Sequence, residues 1–385
     1  MIKNLRIFPI FEIFYRFTPH FLIAPLYYQE ILGSYTLAMA VFSTTLISCS
    51  ISEIPMGIIS DFMGRKRTII FASFCNFFSF LLFILAGIFE QYSNVLCFSA
   101  AIVLGLSQAL YSGTLDAFIY ESIKASNQLE DYNRLYSRIK GLGAMSSAIS
   151  ALLSGILSYY YSYIICFYLS GFAAVMTMII GLFYYNIDYS SAYFSYKNLK
   201  EHLKNIYLFY KNNTKLRWIS LAKIMGDNVS YRIDIIYFKM LIPEYLLGTP
   251  RMLKKFYECI SYIYASYLIE KFKPIGVLII SNSYMIAIRS LAIGLNNFLS
   301  PFIISLVDLL DGTSSTSFSN LLQHEYSDKQ RATMESIISM VSTIWTSILL
   351  LLIGIVIDYT GVRFALFVLI IYRFIRYFIY YKVLR

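Results

Sequence analysis

The sequence predicts an all-α membrane protein of about twelve transmembrane helices in two six-helix bundles, and three observations carry that prediction. Hydrophobic residues make up 58% of the 385 residues and charged residues only 14%. The mean hydropathy of +0.62 is too apolar for a soluble globular chain. Apolar runs long enough to cross a hydrocarbon core, about 20 residues as a helix, recur along the whole chain. One long polar and basic segment near the middle divides these runs into two sets of about six.

In order, the runs place helices over 7–28, 34–59, 67–89, 94–122, 140–160, 163–186, 218–246, 253–270, 274–294, 296–323, 332–357 and 362–382. Short polar connections separate them. The eighth is the least regular, because Lys254, Lys255 and Glu258 stand near one end of it. The first begins with "MIKNLRIFPIFEIFYRF"; no small-residue cleavage site follows and a second apolar run comes almost at once, so it reads as a retained helix. The middle segment, "DYSSAYFSYKNLKEHLKNIYLFYKNNTKLRW", is a linker between halves. Within it Leu199, Leu203, Ile206 and Tyr210 recur at helical spacing, which points to a short amphipathic helix at the inner surface. The organisation is thus an N-terminal bundle over 1–187, a linker over 188–217 and a C-terminal bundle over 218–385.

Orientation follows from the cations, since cytoplasmic connections retain Lys and Arg. With the N-terminus inside, the inner connections hold Arg65, Lys66 and Arg67; Lys124, Arg134, Arg138 and Lys140; Lys197 through Arg217; Lys271 and Lys273; and Lys329 and Arg331. The outer connections "YYQEILGS", "FEQYSN" and "YYYSYI" hold none; Arg251 and Arg363, with Lys254 and Lys255 at the mouth of the eighth helix, are the exceptions. Both termini are expected in the cytoplasm. The formal net charge of +10 is spread among inside loops rather than gathered on one basic face, which argues against nucleic acid as a partner. Cys49, Cys75, Cys97, Cys166 and Cys259 lie in apolar segments without Cys-x-x-Cys spacing. They read as small buried hydrophobes rather than a disulfide framework or a metal site.

The halves resemble each other. "YSGTLDAFIYESI" precedes "NRLYSRIKGLGAMSSAIS" at the fourth-to-fifth connection, and "LDGTSSTSFSNLL" precedes "KQRATMESIISMVS" at the tenth-to-eleventh. Gly113-Thr114 and Gly312-Thr313 then occupy corresponding places. Repeated six-helix halves are one architecture of secondary transporters.

Between the second and third helices stands "GIISDFMGRKRTII". It resembles the signature of the major facilitator superfamily, Gly-x-x-x-Asp-x-x-Gly-Arg-Lys/Arg, and Gly57, Asp61, Gly64, Arg65 and Lys66 match it. The preceding "SEIPMG" is similar to a lead-in of bacterial members, and "SGTLDAFIYES" to a fourth-helix sequence of bacterial drug-transporter-like members. "RATMESIISMVS" resembles the start of their eleventh helix, and with "GIVIDYTGVR" the resemblance spans nearly the whole chain. It implies two bundles of paired three-helix repeats around a central cavity. In the family the acid at the position of Asp61 faces the start of the eleventh helix, here Arg331 to Met334, in the outward-open state; free N–H groups and the positive dipole end stabilise an anion there. Glycines at 57 and 64 permit close helix approach and a tight turn, and the cations hold the loop inside. A purely topogenic loop would need the cations but neither Asp61 nor the glycines.

Ionisable residues inside spans are costly and face a cavity or a partner. The first helix carries Glu12, Arg16 and His20, the fourth Asp116 and Glu121, the seventh Lys223, Asp227, Arg232 and Asp234, and the tenth Asp308 and Asp311. These are the helices that line the cavity in the family; Arg289 in the ninth departs from the pattern. Glu12, Arg16 and His20 recur every four residues, as do Gln108, Ser112, Asp116 and Tyr120, and Lys223, Asp227 and Tyr231. Each set shares one helix face. Glu12 and Arg16 are either a substrate or proton site or an i,i+4 ion pair. His20 is either a proton carrier or a hydrogen-bonded structural residue. Asp116 is the favoured carrier of the coupling proton, because a carboxyl held among apolar helices takes up a proton more readily than one in water. Asp308 and Asp311 lie either on the substrate path or in a structural contact.

No phosphate-binding loop, zincin motif, nucleophile elbow or Cys/His cluster is present. The chain is therefore expected to be neither an ATP-driven pump nor an enzyme, to hold no cofactor or metal, and to act as a monomer on a small molecule with the proton as coupling ion. The fifth helix, "GLGAMSSAISALLSGILSYY", keeps Gly141, Gly143 and Gly155 but lacks the proline of the antiporter signature often found in the drug-efflux members. Efflux of small amphipathic compounds is the first reading, uptake of a nutrient or metabolite the second, and a non-transporting membrane sensor the reading from another class.

Overall fold

The structure, a computed structural model, describes residues 2–185, 210, 211, 213–226, 229–325 and 331–384. Every regular element among them is helical. The amphipathic helix expected in the linker and the linker itself up to residue 209 lie outside the described residues. The chain forms two compact units, Met1–Ser191 with Pro243–Thr249, and Ala192–Ile242 with Pro250–Arg385. The short segment Pro243–Thr249, expected in the C-terminal bundle, thus belongs to the first unit. It is tied there by Tyr163, whose hydroxyl donates to Glu244 Oε1 at 2.7 Å.

The first unit contains α1 (Ile2–Arg16), α2 (His20–Leu32), α3 (Tyr35–Met63), α4 (Arg65–Ile88), α5 (Ser93–Tyr111), α6 (Thr114–Ala125), α7 (Tyr132–Tyr160) and α8 (Ile164–Leu182). Ser34 caps α3, its side chain accepting from the Leu37 N–H at 3.1 Å, and so satisfies a donor that the helix start leaves open. Lipid tails are as apolar as a leucine, so helices are held here by close packing and interhelical hydrogen bonds. Ser107 donates to Ala72 O at 2.9 Å, Ser48 to Ile102 O at 2.8 Å, and Ser146 to Ile13 O at 2.7 Å. The core around α1 is aromatic, with Phe8 edge-on to Phe118 at 5.3 Å and Tyr15 against Tyr111 at 4.7 Å.

The second unit contains α9 (Thr214–Ile224), α10 (Ser230–Lys239), most of α11 (Gly248–Leu295), α12 (Ser300–Ser305), a 3₁₀ segment Leu306–Leu310, α13 (Asp311–Glu325), α14 (Arg331–Thr360) and α15 (Val362–Leu384). The long α11 folds back at Lys273, where φ is +62°, so the eighth and ninth spans are its two arms. Pro274 contributes to the break, since a residue before proline is driven to extended ψ, here +156°, rather than helical ψ. Seven helical stretches among the described residues are long and apolar enough to cross a membrane by length and composition.

The first, fourth, seventh and tenth spans, singled out by their ionisable residues, are each interrupted rather than continuous as expected. The first breaks between Arg16 and His20 at Pro19, and the fourth at Ser112 and Gly113, where φ is +71°. The seventh is interrupted at Met225 and Gly226, and the tenth passes through the 3₁₀ turn. Broken helices are tolerated at membrane depth where the freed backbone is buried in protein or lines a cavity. The two Gly-Thr repeats make equivalent contacts at their breaks. Thr114 Oγ1 lies 2.9 Å from Ser60 Oγ on the second span, and Thr313 Oγ1 lies 3.0 Å from Ser261 Oγ on the eighth.

Candidate functional site

In the first unit a chain of charges links three of the spans. Glu12, on α1, is 1% exposed, and its Oε1 accepts from Arg16 Nε at 3.2 Å and from Lys140 Nζ at 3.3 Å. The same ammonium lies 2.9 Å from Asp116 Oδ1 on α6. Tyr136, one turn before Lys140 on α7, donates its hydroxyl to that Asp116 oxygen at 3.3 Å. Glu12 Oε2 is buried and makes no hydrogen bond. Gly143 makes this approach of α7 to α1 possible, because a Cβ there would stand 2.7 Å from Glu12 Cγ and 2.9 Å from Arg16 Cγ.

Lys140 is the member that the sequence placed elsewhere, among the loop cations. The fifth helix begins at Tyr132 rather than near residue 140, so Lys140 stands more than two turns inside it and reaches the site. Asp116 is correspondingly not enclosed among apolar helices: its side chain is 58% exposed and paired with Lys140. The Arg16–Glu12 ion pair is present, and it is one arm of a larger network.

The stripe Gln108, Ser112, Asp116 and Tyr120 crosses the break in the fourth span, yet all four residues are exposed on the first unit. His20 does not continue the face of Glu12 and Arg16, because the helix stops between them. It starts α2, buried, with Nδ1 2.8 Å from Ser170 Oγ and its ring edge-on to Phe80 at 4.6 Å. In the signature, Gly64 alone forms the turn between α3 and α4, with φ +80° and ψ +151°. Arg65 donates from Nη1 to Ser60 Oγ at 3.1 Å, and its Nε lies 3.4 Å from Glu121 Oε1. Gly57 is not at a close approach, as no atom lies within 4 Å of a Cβ built on it. Lys66 is half-buried at the start of α4. The Asp61 side chain and the whole of Asp227 lie outside the described residues. Tyr231 is half-buried and stacks on Arg232, whose guanidinium carbon is 4.5 Å from the ring centroid. Of the cysteines, Cys97 and Cys166 are buried, Cys49 and Cys75 are half-buried and Cys259 is exposed, so full burial does not hold for all five.

In the second unit Arg289 finds its partner in Asp234, which also meets Lys254. The same unit holds a cavity of about 510 Å³ whose lining residues all belong to it. Lys223, Asp311, Glu335, Arg373 and Arg376 supply its charges. Asp308 is half-buried in the 3₁₀ turn and does not line the cavity with Asp311. Arg373 and Arg376, in the twelfth span, went unnoticed in the sequence, although two arginines one turn apart amid "LIIYRFIRYFIYY" are a signal by the rule applied to the other spans.

The model of the family described as Major Facilitator Superfamily matches residues 11–230, more than half of the chain. No curated protein matches. Among solved structures, the chain is similar to a point-mutant form of the nucleoside transporter NupG, with TM-score 0.84, 13% identity and 99% of each chain covered. It is also similar to a bacterial homologue of the iron transporter ferroportin in an inward-facing state, with TM-score 0.75, 13% identity and coverage of 100% and 99%. A D-xylose-proton symporter gives TM-score 0.72 and 12% identity over 98% of this chain and 97% of the other. At such identities these likenesses show the fold. The sequence match, the signature at the single-residue turn and the all-helical fold agree, and the chain belongs to the major facilitator superfamily of membrane transporters.

Proposed function

We propose that the chain is a proton-coupled secondary transporter that moves a small molecule by alternating access, with Glu12, Arg16, Asp116 and Lys140 as its coupling site. The observation that carries this reading is the sharing of one ammonium by two carboxylates, Lys140 Nζ lying 3.3 Å from Glu12 and 2.9 Å from Asp116. A proton on either carboxylate removes its charge and leaves Lys140 to the other, so protonation redistributes the ion pairs among α1, α6 and α7. Pairing changes of this kind bias a two-state equilibrium. Gln108, Ser112 and Tyr120, exposed on the same span as Asp116, are candidates to supply polar groups for a substrate, with Asp227 and Tyr231 as further candidates from the seventh span.

The turn from Gly57 to Lys66 is the proposed control of the switch between inward- and outward-open states, and the chain is placed as a monomer in a bacterial inner membrane with both termini inside. Efflux of amphipathic compounds is the direction favoured by the fourth-span resemblance. The missing proline of the fifth helix favours the second reading, nutrient or metabolite uptake. Accumulation of a metabolite and drug panel in cells with and without the protein, each with and without a protonophore, tests all of this. A compound whose level changes only when the protein and the gradient are both present is expected; binding without flux would make the protein a sensor.

A further inference from the structure

Arg376 is 8% exposed and stands in the wall of the second-unit cavity. Its guanidinium carbon lies 5.3 Å from the Phe318 ring centroid and 5.6 Å from that of Tyr380. Its Nε is buried without a hydrogen bond, and no carboxylate among the described residues forms an ion pair with it. A buried guanidinium without a counter-ion is costly, and two aromatic faces compensate only part of that cost. The resident acids do not relieve it: Glu335 lies 3.9 Å from Lys223 instead, and Asp311 makes no ion pair with Arg376. Counting Lys223, Arg373 and Arg376 against Asp311 and Glu335, the wall carries one more cation than anion.

A second group is unsatisfied in the same wall. Asn282 is 2% exposed; its Nδ2 donates to Arg373 O at 3.3 Å, while its Oδ1 is buried and accepts nothing. Ser314, Ser315, Ser339 and Ser342 line the cavity as well. The volume of about 510 Å³ lies within the usual range for small-molecule sites, roughly 300–1,000 Å³. The wall therefore presents an arginine without a counter-ion for one anionic group, an unused acceptor in the same lining, and hydroxyls for the remainder of a polar body.

We propose that this cavity binds a small hydroxylated organic anion, whose single carboxylate or phosphate is held by Arg376 and whose hydroxyl donates to Asn282 Oδ1. Guanidinium binds both anions in the same planar geometry. The proposal rests on the transport reading only in making that anion a transported substrate; the binding itself needs no gradient.

The purified full chain is titrated with gluconate, glucose 6-phosphate, inorganic phosphate and uncharged glucose. Affinity is read by calorimetry and by the shift in thermal unfolding midpoint. A parallel series uses phosphatidylcholine vesicles with and without phosphatidylglycerol. Binding of at least one organic anion and none of glucose is expected, weakened at least tenfold by Arg376→Met and less by Arg376→Lys, which keeps the charge. Weaker binding in Asn282→Leu with an intact midpoint would support the acceptor role. A response to phosphatidylglycerol alone, lost in Arg376→Met, would place a lipid phosphate at the same guanidinium. The proposal is overturned if no anion or anionic lipid shifts the wild-type midpoint, or if Arg376→Met and Arg376→Lys both bind as the wild type does. Binding in a chain that shows no flux would sink the transport reading and leave this one standing.

Discussion

The Arg289 guanidinium holds both oxygens of Asp234, Nη1 2.8 Å from Oδ1 and Nη2 3.2 Å from Oδ2. Lys254 Nζ closes on the second oxygen at 2.5 Å. The three residues are buried and lie on α10 and the two arms of α11, so one carboxylate ties the seventh, eighth and ninth spans together. Asp234→Asn would leave two buried cations facing a neutral amide. Removing one member of a buried pair costs about 3–5 kcal/mol, and a fall of that size in the denaturation free energy of the solubilised protein is expected. Arg289→Lys, which loses the fork but keeps the charge, should cost less. An unchanged midpoint in Asp234→Asn would show that the triad holds nothing together.

The two glycines of the signature separate by backbone geometry. Gly64 has φ +80° and ψ +151°, a region essentially closed to other residues, and Gly64→Ala should cost roughly 1–3 kcal/mol. Gly57 has open space where a Cβ would go, and Gly57→Ala should fold and insert as the wild type. Comparing the inserted, folded yield of the two variants checks this. Equal behaviour would mean that the turn rearranges freely.

Asp61→Asn should impair flux while leaving insertion and folded yield intact, because the role proposed for Asp61 lies in switching rather than in holding the fold. A well-expressed variant that transports at the wild-type rate ends that role.

For the shared ammonium, Asp116→Asn is expected to abolish accumulation against a gradient while substrate binding or exchange persists. Lys140→Met should impair both, since it leaves the buried Glu12 with Arg16 alone. The readout is the ratio of driven uptake or efflux to counterflow in proteoliposomes. Proton-driven accumulation at full rate in Asp116→Asn would move the coupling to Glu12.

Single cysteines placed at Arg65 and Lys204 should be labelled by a membrane-impermeant reagent only after the cytoplasmic face is opened. Labelling of the two from opposite faces would refute the expected topology.

Much of this protein was legible in the chain itself. Segment length and apolar runs specify spans because lipid demands about 20 apolar residues per helix and a helix satisfies its own backbone; these are local requirements. The signature was legible for the same reason, as Gly64 must supply a positive φ at a fixed offset from Arg65. The costliness of charge in lipid likewise marked the first, fourth, seventh and tenth spans. Which charges meet was decided only by the tertiary structure. Lys140 read as a loop cation until α7 extended back to Tyr132 and Gly143 let it close on Glu12. The carboxylate that Arg289 meets, Asp234, stands 55 residues away in the chain. The stripes assumed unbroken helices, and Pro19 and Gly113 break two of them. Pairing between distant side chains depends on helix packing and rotation, and no periodicity along a single segment encodes either.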